Sequence, residues 1–277
     1  MCVWYALYFV LYADCIDFLY YLMCQINSDV TIFSMNVRGI FSNKKKRYDI
    51  FDWLKSKKAS IICLQETHSS KDVETIWEDE WGNTCVFSHY NNRSAGVSIL
   101  FKKGLDFIIL DSKIDENGRY IVLDLTVFEQ RFTLACVYGY NTDEPSLFND
   151  LLHKIALCAN TSILLCGDWN VVQDISLDTH NIVQNRNSNS RKKIEEIMES
   201  FELLDPWRTC YPEVKKFTWR QRSPLKQSRL DYFLVSEDLF TLMLNTKIIP
   251  GYKTDHSAIV FTFSAKTEKR GRGYCEI

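Results

Sequence analysis

Polar residues able to do acid–base and ligand chemistry stand where apolar runs of the sequence end. In chain order these residues are Asn36, Glu66, Tyr138, Asn141, Asp168, Asn170, Asp255 and His256. Each one alone has an ordinary structural explanation, such as a turn cap or a solvated strand end. Together they favour a chemical site, because functional sites gather such groups where a fold does not require them.

This combination is chemically coherent for hydrolysis of a phosphodiester. That reaction needs neutralisation of phosphate charge, an activated in-line water and stabilisation of the leaving oxygen. Glu66 is an oxygen ligand of the kind Mg²⁺ takes, and one or two carboxylates suffice when waters and phosphate fill the other octahedral positions. Asn36 is expected to complete that shell or to hold a phosphate oxygen. Tyr138 and Asn141 offer neutral donors to the phosphate.

His256 is the expected titrating group, because histidine alone has an unperturbed pKa near neutral pH. Its ring needs an acceptor that fixes the tautomer. Asp255 is adjacent and, in an extended chain, points the other way. We therefore assign Asp231, in the segment SRLDYFLVS, as the partner of His256, and Asp255 to the metal or its waters.

The stretch LLCGDWN is typical of a buried strand that leads to the site. Its apolar residues run on without alternation and end at a glycine, as in strands covered on both faces. If extended backbone continues through Asp168 and Asn170, the period of two places both side chains on one face and Trp169 on the other. A charged acceptor and an amide then stand together at the exit of the strand.

The elements that position these residues alternate from Val30 onwards. Strands are predicted for VTIFSM, SIICLQE, GVSILF, DFIILDSKI, RYIVLDLTV, FTLACVYGY, SRLDYFLVS and SAIVFTF. Helices are predicted for residues 43–58, about 71–81 and 146–159, and for a segment carrying Ile194, Ile197, Met198, Phe201 and Leu204. Two β-rich halves with helices predict an α/β fold in which two sheets pack face to face under outer helices. Polar strand ends would then meet along one edge.

The composition allows a large core and excludes a general polyanion binder. The 277 residues are 46% hydrophobic and carry a net charge of −2, so any site for a polyanion must be local. The ten cysteines are scattered without a C-x-x-C pair, and Cys63, Cys136 and Cys166 lie inside apolar runs. This usage favours reduced thiols in a nuclear or cytoplasmic protein and gives no zinc pattern.

Three segments are expected. Residues 1–27 form a hydrophobic extension outside the fold, residues 28–265 the domain, and residues 266–277 a frayed tail. The opening uncharged run ends at Asp14, short of the roughly 20 apolar residues that span a bilayer. A basic region typical of a signal peptide is missing. A membrane anchor stays open as an alternative and is not favoured.

Seven motifs, in order, resemble the endonuclease/exonuclease/phosphatase superfamily. They are MNVRGI, LQETHS, VYGYN, CGDWNVV, FTWRQ, SRLDYFLVS and TDHSAIV. They are most similar to the endonuclease domain of LINE-type non-LTR retrotransposons, relatives of the apurinic/apyrimidinic endonucleases. The similarity covers roughly residues 28 to 265. It implies a four-layer αββα sandwich, with two packed mixed sheets flanked by helices in the DNase I-like arrangement and a site at one end of the sheets.

The resemblance also implies roles for single residues, and Mg²⁺ as cofactor with Mn²⁺ as an alternative. The metal-site and phosphate-contacting positions match Asn36, Glu66 and Tyr138. The positions that place the attacking water, orient the histidine and complete catalysis match Asp168, Asn170, Asp231, Asp255 and His256, with Thr218 matching a threonine near the scissile nucleotide.

A basic segment precedes Asp231. TWRQRSPLKQSR puts four cations around a turn at Pro224: Arg220, Arg222, Lys226 and Arg229. A solvated hairpin tip is the ordinary explanation, but the segment resembles the hairpin that family members insert into a DNA groove, and we expect it to contact phosphates of double-stranded DNA. The run NKKKR, residues 43–47, is expected to be a solvated helix face, because cations oppose the dipole there.

The favoured function is a monomeric, Mg²⁺-dependent endonuclease that nicks DNA and leaves a 3′-hydroxyl for a reverse transcriptase domain to extend in a full-length element. This chain stops before such a domain could fit. Alternatives with the same chemistry are an abasic-site repair endonuclease or exonuclease, an RNA deadenylase, and a phosphatase of phosphoinositides or sphingolipids. An alternative of another class is a catalytically inactive retroelement remnant.

Overall fold

The computed structural model describes residues 29–182 and 187–265. The expected N-terminal extension and C-terminal tail lie outside the described residues. Within the described ranges, no helix has the length and apolar character needed to cross a bilayer. The described chain builds two large β-sheets that pack against each other, with helices on the two outer faces.

The first sheet has six strands and is mixed. In spatial order they are β14 (Met243–Ile249), β15 (Ala258–Ser264), β1 (Asp29–Asn36), β2 (Ile61–Gln65), β4 (Val97–Phe101) and β3 (Cys85–Ser88). The pair β1 and β2 is parallel, so Asn36 and Glu66 leave the sheet at the same edge. The other pairs in this sheet are antiparallel.

The second sheet also has six strands. In spatial order they are β10 (Leu203–Leu204), β13 (Asp231–Ser236), β8 (Ile163–Asp168), β7 (Gln130–Tyr138), β6 (Tyr120–Val127) and β5 (Phe107–Ile114). Here β7 and β8 are parallel and the remaining pairs are antiparallel. A small third sheet joins β11 (Trp219–Gln221), β12 (Lys226–Ser228) and β9 (Thr179–His180).

Helices connect many of the strands, and the longer ones cover the outer faces of the sheets. They are α1 (Lys44–Ser56), α2 (Glu74–Trp81), α3 (Pro145–Ala156), α4 (Ile175–Asp178), α5 (Ser188–Ser200), α6 (Pro206–Cys210) and α7 (Glu237–Thr241). Asn43 caps α1 by accepting from the Lys46 amide at 2.8 Å, and Pro145 begins α3, where a missing amide hydrogen carries no penalty.

Three apolar clusters hold these layers together. One lies between the sheets, where Ile32 and Phe261 meet Leu123 and Cys166. A second joins the second sheet to α3 and α5, and a third joins the first sheet to α1 and α2. The order helix, sheet, sheet, helix confirms the predicted four-layer α/β sandwich. The inner strands of both sheets are buried on both faces, which explains why β2, β4 and β8 are nearly continuous apolar runs.

Several element boundaries differ from the sequence prediction. The segment near residue 71 begins as a 3₁₀ turn, Lys71–Val73, before α2. Helix α5 ends at Ser200, so Phe201 lies at its C-terminal cap and Leu204 lies on β10. Phe201 still packs on the second sheet after the helix has ended, whereas Leu204 is exposed and its helical spacing is coincidental.

Two glycines allow the strands next to the site to approach closely. Gly167, at φ +149°, would place a Cβ atom 1.9 Å from the Val137 carbonyl oxygen, and one at Gly139 would lie 1.9 Å from the Trp169 carbonyl oxygen. Val137 and Gly167 face each other across the parallel β7 and β8 pair. A side chain at either glycine would push apart the two strands that carry Tyr138 and Asp168.

We expect Gly167→Ala to lower the free energy of unfolding by about 3 kcal/mol or more, because the new methyl group meets backbone that cannot move aside. Gly104→Ala is the matched control, since Gly104 also has positive φ, at +77°, but has no atom within 4 Å of its built Cβ. That variant should lose only about 1 kcal/mol. Urea unfolding of both variants checks this, and equal losses would contradict the steric argument.

Candidate active site

A row of functional side chains crosses the second sheet at one edge. Tyr138 ends β7, Asp168 ends β8 and Asp231 begins β13. Their backbones are in register, because Tyr138 pairs with Asp168 and Asp168 pairs with Asp231. The sheet therefore sets the spacing of a phenol and two carboxylates before any side-chain contact forms.

The first sheet contributes Asn36 from the end of β1. This residue is fully buried, and its Nδ2 donates to Asp168 Oδ2 at 2.9 Å, linking the two sheets. The Arg38 amide donates to Asn36 Oδ1 at 2.9 Å. Both the nitrogen and the oxygen of the Asn36 amide therefore have hydrogen-bond partners, and Asn36 fixes the position of Asp168 Oδ2.

Glu66 leaves β2 with a left-handed backbone, at φ +51°. The Tyr138 hydroxyl donates to Glu66 Oε1 at 2.5 Å, and Oε2 lies 4.0 Å from His68 Nε2. Burial together with the Glu66 charge raises the pKa of Tyr138. The phenol therefore keeps its proton at any physiological pH and can act only as a donor or a neutral contact.

His256 lies between two carboxylates from different strands. Its Nδ1 is 2.9 Å from Asp231 Oδ2, and its Nε2 is 3.8 Å from Asp168 Oδ2. The first contact is the histidine–carboxylate pair expected from the sequence. It fixes the ring orientation and leaves Nε2 towards Asp168 and the cleft.

The charges in this cluster shift one another's pKa values. Burial alone would lower the pKa of His256, but the Asp231 and Asp168 charges outweigh burial and raise that pKa to about 10. Burial raises the pKa of Asp168 to about 7, with Asp231 and Glu66 acting in the same direction and His256 and Asn36 opposing. Without a bound metal or substrate, His256 is cationic at neutral pH and Asp168 is poised to exchange a proton.

Asn170 reaches the cleft by a different route from the one predicted. Strand β8 ends at Asp168, and Asn170 takes a left-handed backbone, at φ +52°. The prediction of extended backbone through Asn170 is therefore wrong. The turn is stabilised because the Asn170 amide donates to Asp168 Oδ1 at 3.1 Å and Asn170 Nδ2 donates to the Gly139 carbonyl at 3.1 Å. Trp169 packs into the core on the other side.

One cleft of about 770 Å³ gathers half of the predicted site residues. Those lining it are Glu66, Asn141, Asp168, Asn170, Lys226, Asp255 and His256. The sequence analysis missed other lining residues, among them Arg38, Asn187, Arg191 and Trp219. Arg38 could have been noticed in MNVRGI as a cation beside a ligand candidate. Trp219 on β11, Arg191 on α5 and Asn187 just before α5 are brought to the cleft only by the tertiary fold.

Asp255 and Arg38 form an ion pair at the mouth of the cleft. The Arg38 Nη1 atom lies 3.5 Å from Asp255 Oδ2, and the two side chains are 65% and 30% exposed. Asp255 therefore does not orient His256. This agrees with the sequence analysis, which assigned that role to Asp231. Its carboxylate faces solvent at the cleft, where it can take part in binding a cation.

The donor set fits a hard divalent cation. Glu66 and Asp255 present carboxylate oxygens at the cleft, which are the ligands Mg²⁺ and Mn²⁺ prefer. A tighter group is formed by Asp168, Asp231 and His256, whose ligand atoms lie within 4.8 Å of one another. Asp231 Oδ1 is buried with no hydrogen-bond partner among the described residues. The site thus holds more acceptor capacity than the protein itself satisfies.

Two predicted substrate contacts are placed elsewhere. Thr218 is 2% exposed, and its hydroxyl accepts from the Leu230 and Asp231 amides at 2.9 and 3.0 Å. It anchors the start of β13, and its contact with a nucleotide stays a prediction. Arg229 is 1% exposed and bonds Asp178 and Asp205. The prediction that Arg229 faces DNA is wrong, because two buried carboxylates hold its guanidinium inside the fold.

The other basic residues divide into exposed and anchored groups. Arg220 and Arg222 are exposed on the hairpin, and Lys226 lines the cleft. In NKKKR, Arg47 is buried against Glu80, and Lys46 Nζ donates to the Val37 and Arg38 carbonyls at 2.9 and 2.8 Å. The prediction of a solvated face is therefore wrong for these two residues, which hold the loop before α1.

The fold is a four-layer sandwich. At one edge it holds the His256–Asp231 pair beside Asp168, Asn36, Glu66 and Tyr138. This combination is typical of hydrolases of the nuclease and phosphatase class. The chain belongs to the endonuclease/exonuclease/phosphatase family, whose model matches residues 33–256. The six described cysteines are free, as expected for reduced thiols.

Two known proteins are similar to this chain in sequence, and a solved structure is similar to it in fold. The chain is 26% identical over 240 residues to the transposon TX1 uncharacterized 149 kDa protein of Xenopus laevis, covering 85% of this chain and 18% of that protein. It is 27% identical over 240 residues to an exodeoxyribonuclease of Bacillus subtilis, covering 75% of this chain and 88% of the relative. The AP endonuclease LMAP from Leishmania major has the same fold, with a TM-score of 0.71 and 18% identity over 86% of this chain and 89% of that structure.

We expect Asp231→Asn to lower the pKa of His256 by about 1 to 3, because the variant removes the strongest attraction that keeps the ring charged. Ring-proton NMR titration in a chelator measures it. Asp255→Asn is the matched control, since the Asp255 charge acts on His256 more weakly than the others. A larger drop in the control than in Asp231→Asn would contradict the assigned partner.

Proposed function

We propose that this chain is a Mg²⁺-dependent endonuclease that nicks double-stranded DNA and leaves a 3′-hydroxyl. The observation that carries the proposal is the arrangement of the His256–Asp231 pair, Asp168 and the Glu66–Tyr138 pair around a single cleft. Phosphodiester hydrolysis needs a proton acceptor for water, charge on the phosphate neutralised and a fixed phosphate position. Each need has a candidate residue here.

Asp168 is the proposed proton acceptor for the attacking water, since its pKa of about 7 matches the working pH. His256, held cationic by Asp231, would stabilise negative charge on the phosphate through Nε2. Asn170 would donate to a phosphate oxygen, and Tyr138, whose single hydroxyl hydrogen is donated to Glu66, would hold that carboxylate beside the phosphate. A bound Mg²⁺ would supply Lewis-acid neutralisation of the phosphate, with Glu66, Asp255 and Asn36 as the oxygen donors that hold it.

The charge around the cleft favours a nucleic acid over a small phosphate ester. Arg38, Arg191 and Lys226 line the cleft itself. A neighbouring cavity of about 430 Å³ is lined by Arg38, Asn43, Lys45, Lys46 and Lys253. Cations thus extend beyond the reacting position in a protein of net charge −2, as expected for a long polyanion with one negative charge per roughly 1.7 Å.

The relatives support two versions of this proposal. Similarity to a transposon protein favours nicking of target DNA in an element whose reverse transcriptase domain extends the 3′-hydroxyl. Similarity to an exodeoxyribonuclease and to AP endonuclease structures favours an abasic-site endonuclease or exonuclease as the second candidate. Intact plasmid, abasic duplex and inositol phosphates compared in parallel separate these versions from a lipid phosphatase.

His256→Ala and Asp168→Ala should each lower plasmid nicking by about 10³-fold or more, because each removes a group that acts on the reacting atoms. Binding to DNA in a chelator should change little. Relaxation of supercoiled plasmid with Mg²⁺ measures nicking, and Lys103→Ala in an exposed turn is the control. Nicking that survives in the purified double variant, or in excess chelator, would refute the site or the metal.

The double variant Arg222→Ala and Lys226→Ala should bind duplex DNA more weakly by roughly tenfold at 0.15 M salt, because two phosphate contacts are lost. The slope of log affinity against log salt should fall by about 2. Fluorescence anisotropy over a salt series measures both. Lys192→Ala with Lys193→Ala on α5, which removes the same number of positive charges outside the hairpin, is the matched control. A slope that moves equally in both double variants would argue against the hairpin as a DNA contact.

A further inference from the structure

A chain of four hydrogen-bonded side chains lies beside the cleft and is not explained by the chemistry above. Thr67 Oγ1 lies 3.0 Å from Ser69 Oγ, Ser69 Oγ lies 2.7 Å from His89 Nδ1, and His89 Nε2 lies 2.9 Å from Glu74 Oε1. Thr67 and Ser69 are fully buried, whereas the side chains of His89 and Glu74 are 15% and 38% exposed. The chain therefore runs from the surface to the residue that follows Glu66.

Serine, histidine and a carboxylate in this order resemble a nucleophilic triad, but burial excludes that role here. Ser69 Oγ has no exposed surface and already lies between Thr67 and His89. An ester could not reach it. These four side chains instead restrain the conformation of the protein's own backbone at residues 66–69.

The loop that these side chains hold is in an unfavourable conformation. Glu66 and His68 both have left-handed backbones, at φ +51° and +54°, which non-glycine residues seldom adopt. Two glycines make room for the loop, because a Cβ at Gly39 would lie 2.6 Å from His68 Nδ1 and one at Gly96 would lie 2.4 Å from Thr67 Oγ1. Such a loop persists only when surrounding contacts fix it.

Backbone contacts fix part of it. The Thr67 amide donates to the Gly96 carbonyl at 3.1 Å, and the His68 amide donates to the Ala95 carbonyl at 2.9 Å. The Gly39 amide donates to the Glu66 carbonyl at 2.6 Å. The hydrogen-bonded side chains add a further restraint on the same loop, through the Thr67 hydroxyl.

The hydrogen-bond directions follow from the carboxylate. A carboxylate at Glu74 can only accept, so the tautomer that pairs with it carries the imidazole hydrogen on Nε2 and accepts at Nδ1 from the Ser69 hydroxyl. The Ser69 oxygen is then free to accept from Thr67. Stacking on Phe87, with ring centroids 5.4 Å apart and planes 14° apart, fixes the imidazole orientation.

We propose that His89 is a positioning residue for Glu66, acting through Ser69 and Thr67, with Glu74 setting its tautomer. The inference deepens the proposed function and rests on it, because Glu66 is the assigned metal-site carboxylate. If the acceptor at His89 Nδ1 is lost, the buried Ser69 hydroxyl has no acceptor for its hydrogen, and its hydrogen bond with Thr67 is disturbed. The loop then loses one of the restraints on its left-handed residues, and the Glu66 carboxylate loses its fixed place beside Tyr138.

Two substitutions separate hydrogen bonding from packing. His89→Phe keeps an aromatic ring against Phe87 and removes the acceptor, whereas His89→Asn places an amide oxygen near the Nδ1 position and gives up the stacking. We expect His89→Phe to weaken Mn²⁺ binding about tenfold, the scale seen when a group behind a metal ligand is removed. Its kcat for plasmid nicking should fall while KM for DNA stays unchanged. His89→Asn should recover most of both.

Mn²⁺ titration followed by electron paramagnetic resonance, steady-state nicking kinetics and hydrogen exchange of the Thr67 and His68 amides are the three readouts. Exchange of both amides should be faster in His89→Phe and near wild type in His89→Asn. Asp79→Ala, on the exposed face of the same helix as Glu74, is the matched control and should change none of them. Glu74→Ala should change Mn²⁺ binding, nicking kinetics and amide exchange in the same direction as His89→Phe. It replaces His89→Phe as the test variant if His89→Phe does not fold.

The outcomes distinguish the two claims. Wild-type protein that neither binds Mn²⁺ nor nicks DNA would overturn the proposed function, and amide exchange would then still decide whether His89 holds the loop. Wild-type protein that does both, with wild-type values in folded His89→Phe or Glu74→Ala, would overturn the positioning role. Losses confined to His89→Asn, with wild-type values in His89→Phe, would show that stacking on Phe87, rather than the hydrogen-bond chain, holds the loop.

Discussion

The burial of Asp168 is the constraint on which the rest of this site depends. A carboxylate that is 1% exposed loses its hydration, and the protein must replace it with fixed partners. Asn36 from the opposite sheet and the Asn170 amide supply hydrogen bonds, and His256 supplies a positive charge nearby. Asp231 in turn keeps His256 charged. If either sheet moved by an ångström, Asp168 would lose a partner and its raised pKa would rise further.

The fold meets this constraint by bringing strand ends from both sheets to one edge. Register within the second sheet sets Tyr138, Asp168 and Asp231 side by side, and Asn36 crosses between the sheets. The site is therefore attached to strands, which hold side chains more tightly than long loops do. Residues that leave the strands, such as Asn170, adopt left-handed turns that return their side chains to the cleft.

The layers could be predicted from the sequence, and so could the meeting of several polar strand ends at one edge, because both depend on local patterns. Buried strands are continuous apolar runs, and the polar residues directly after them had to meet at an edge. Prediction from the sequence failed where tertiary contacts override local preference. Asn170 is not extended because a side chain and a neighbouring strand supply its hydrogen bonds. Strand β14 was missed since it is a half-exposed edge strand with a bulge and no clear alternation.

Arg229 shows the same limit for charge. By composition it belonged with the exposed cations of the hairpin, yet it is held by Asp178 and Asp205. Removing one partner of such a buried pair lowers the free energy of unfolding by about 3–5 kcal/mol. The positive charge of Arg229 therefore stabilises the fold and is not exposed to a ligand. The Arg229 amide also donates to the Asp178 carbonyl at 2.9 Å, which ties the end of the hairpin to the end of α4. That tie precedes Asp231 by two residues. The hairpin that carries exposed cations and the strand whose Asp231 contacts His256 thus share one buried anchor.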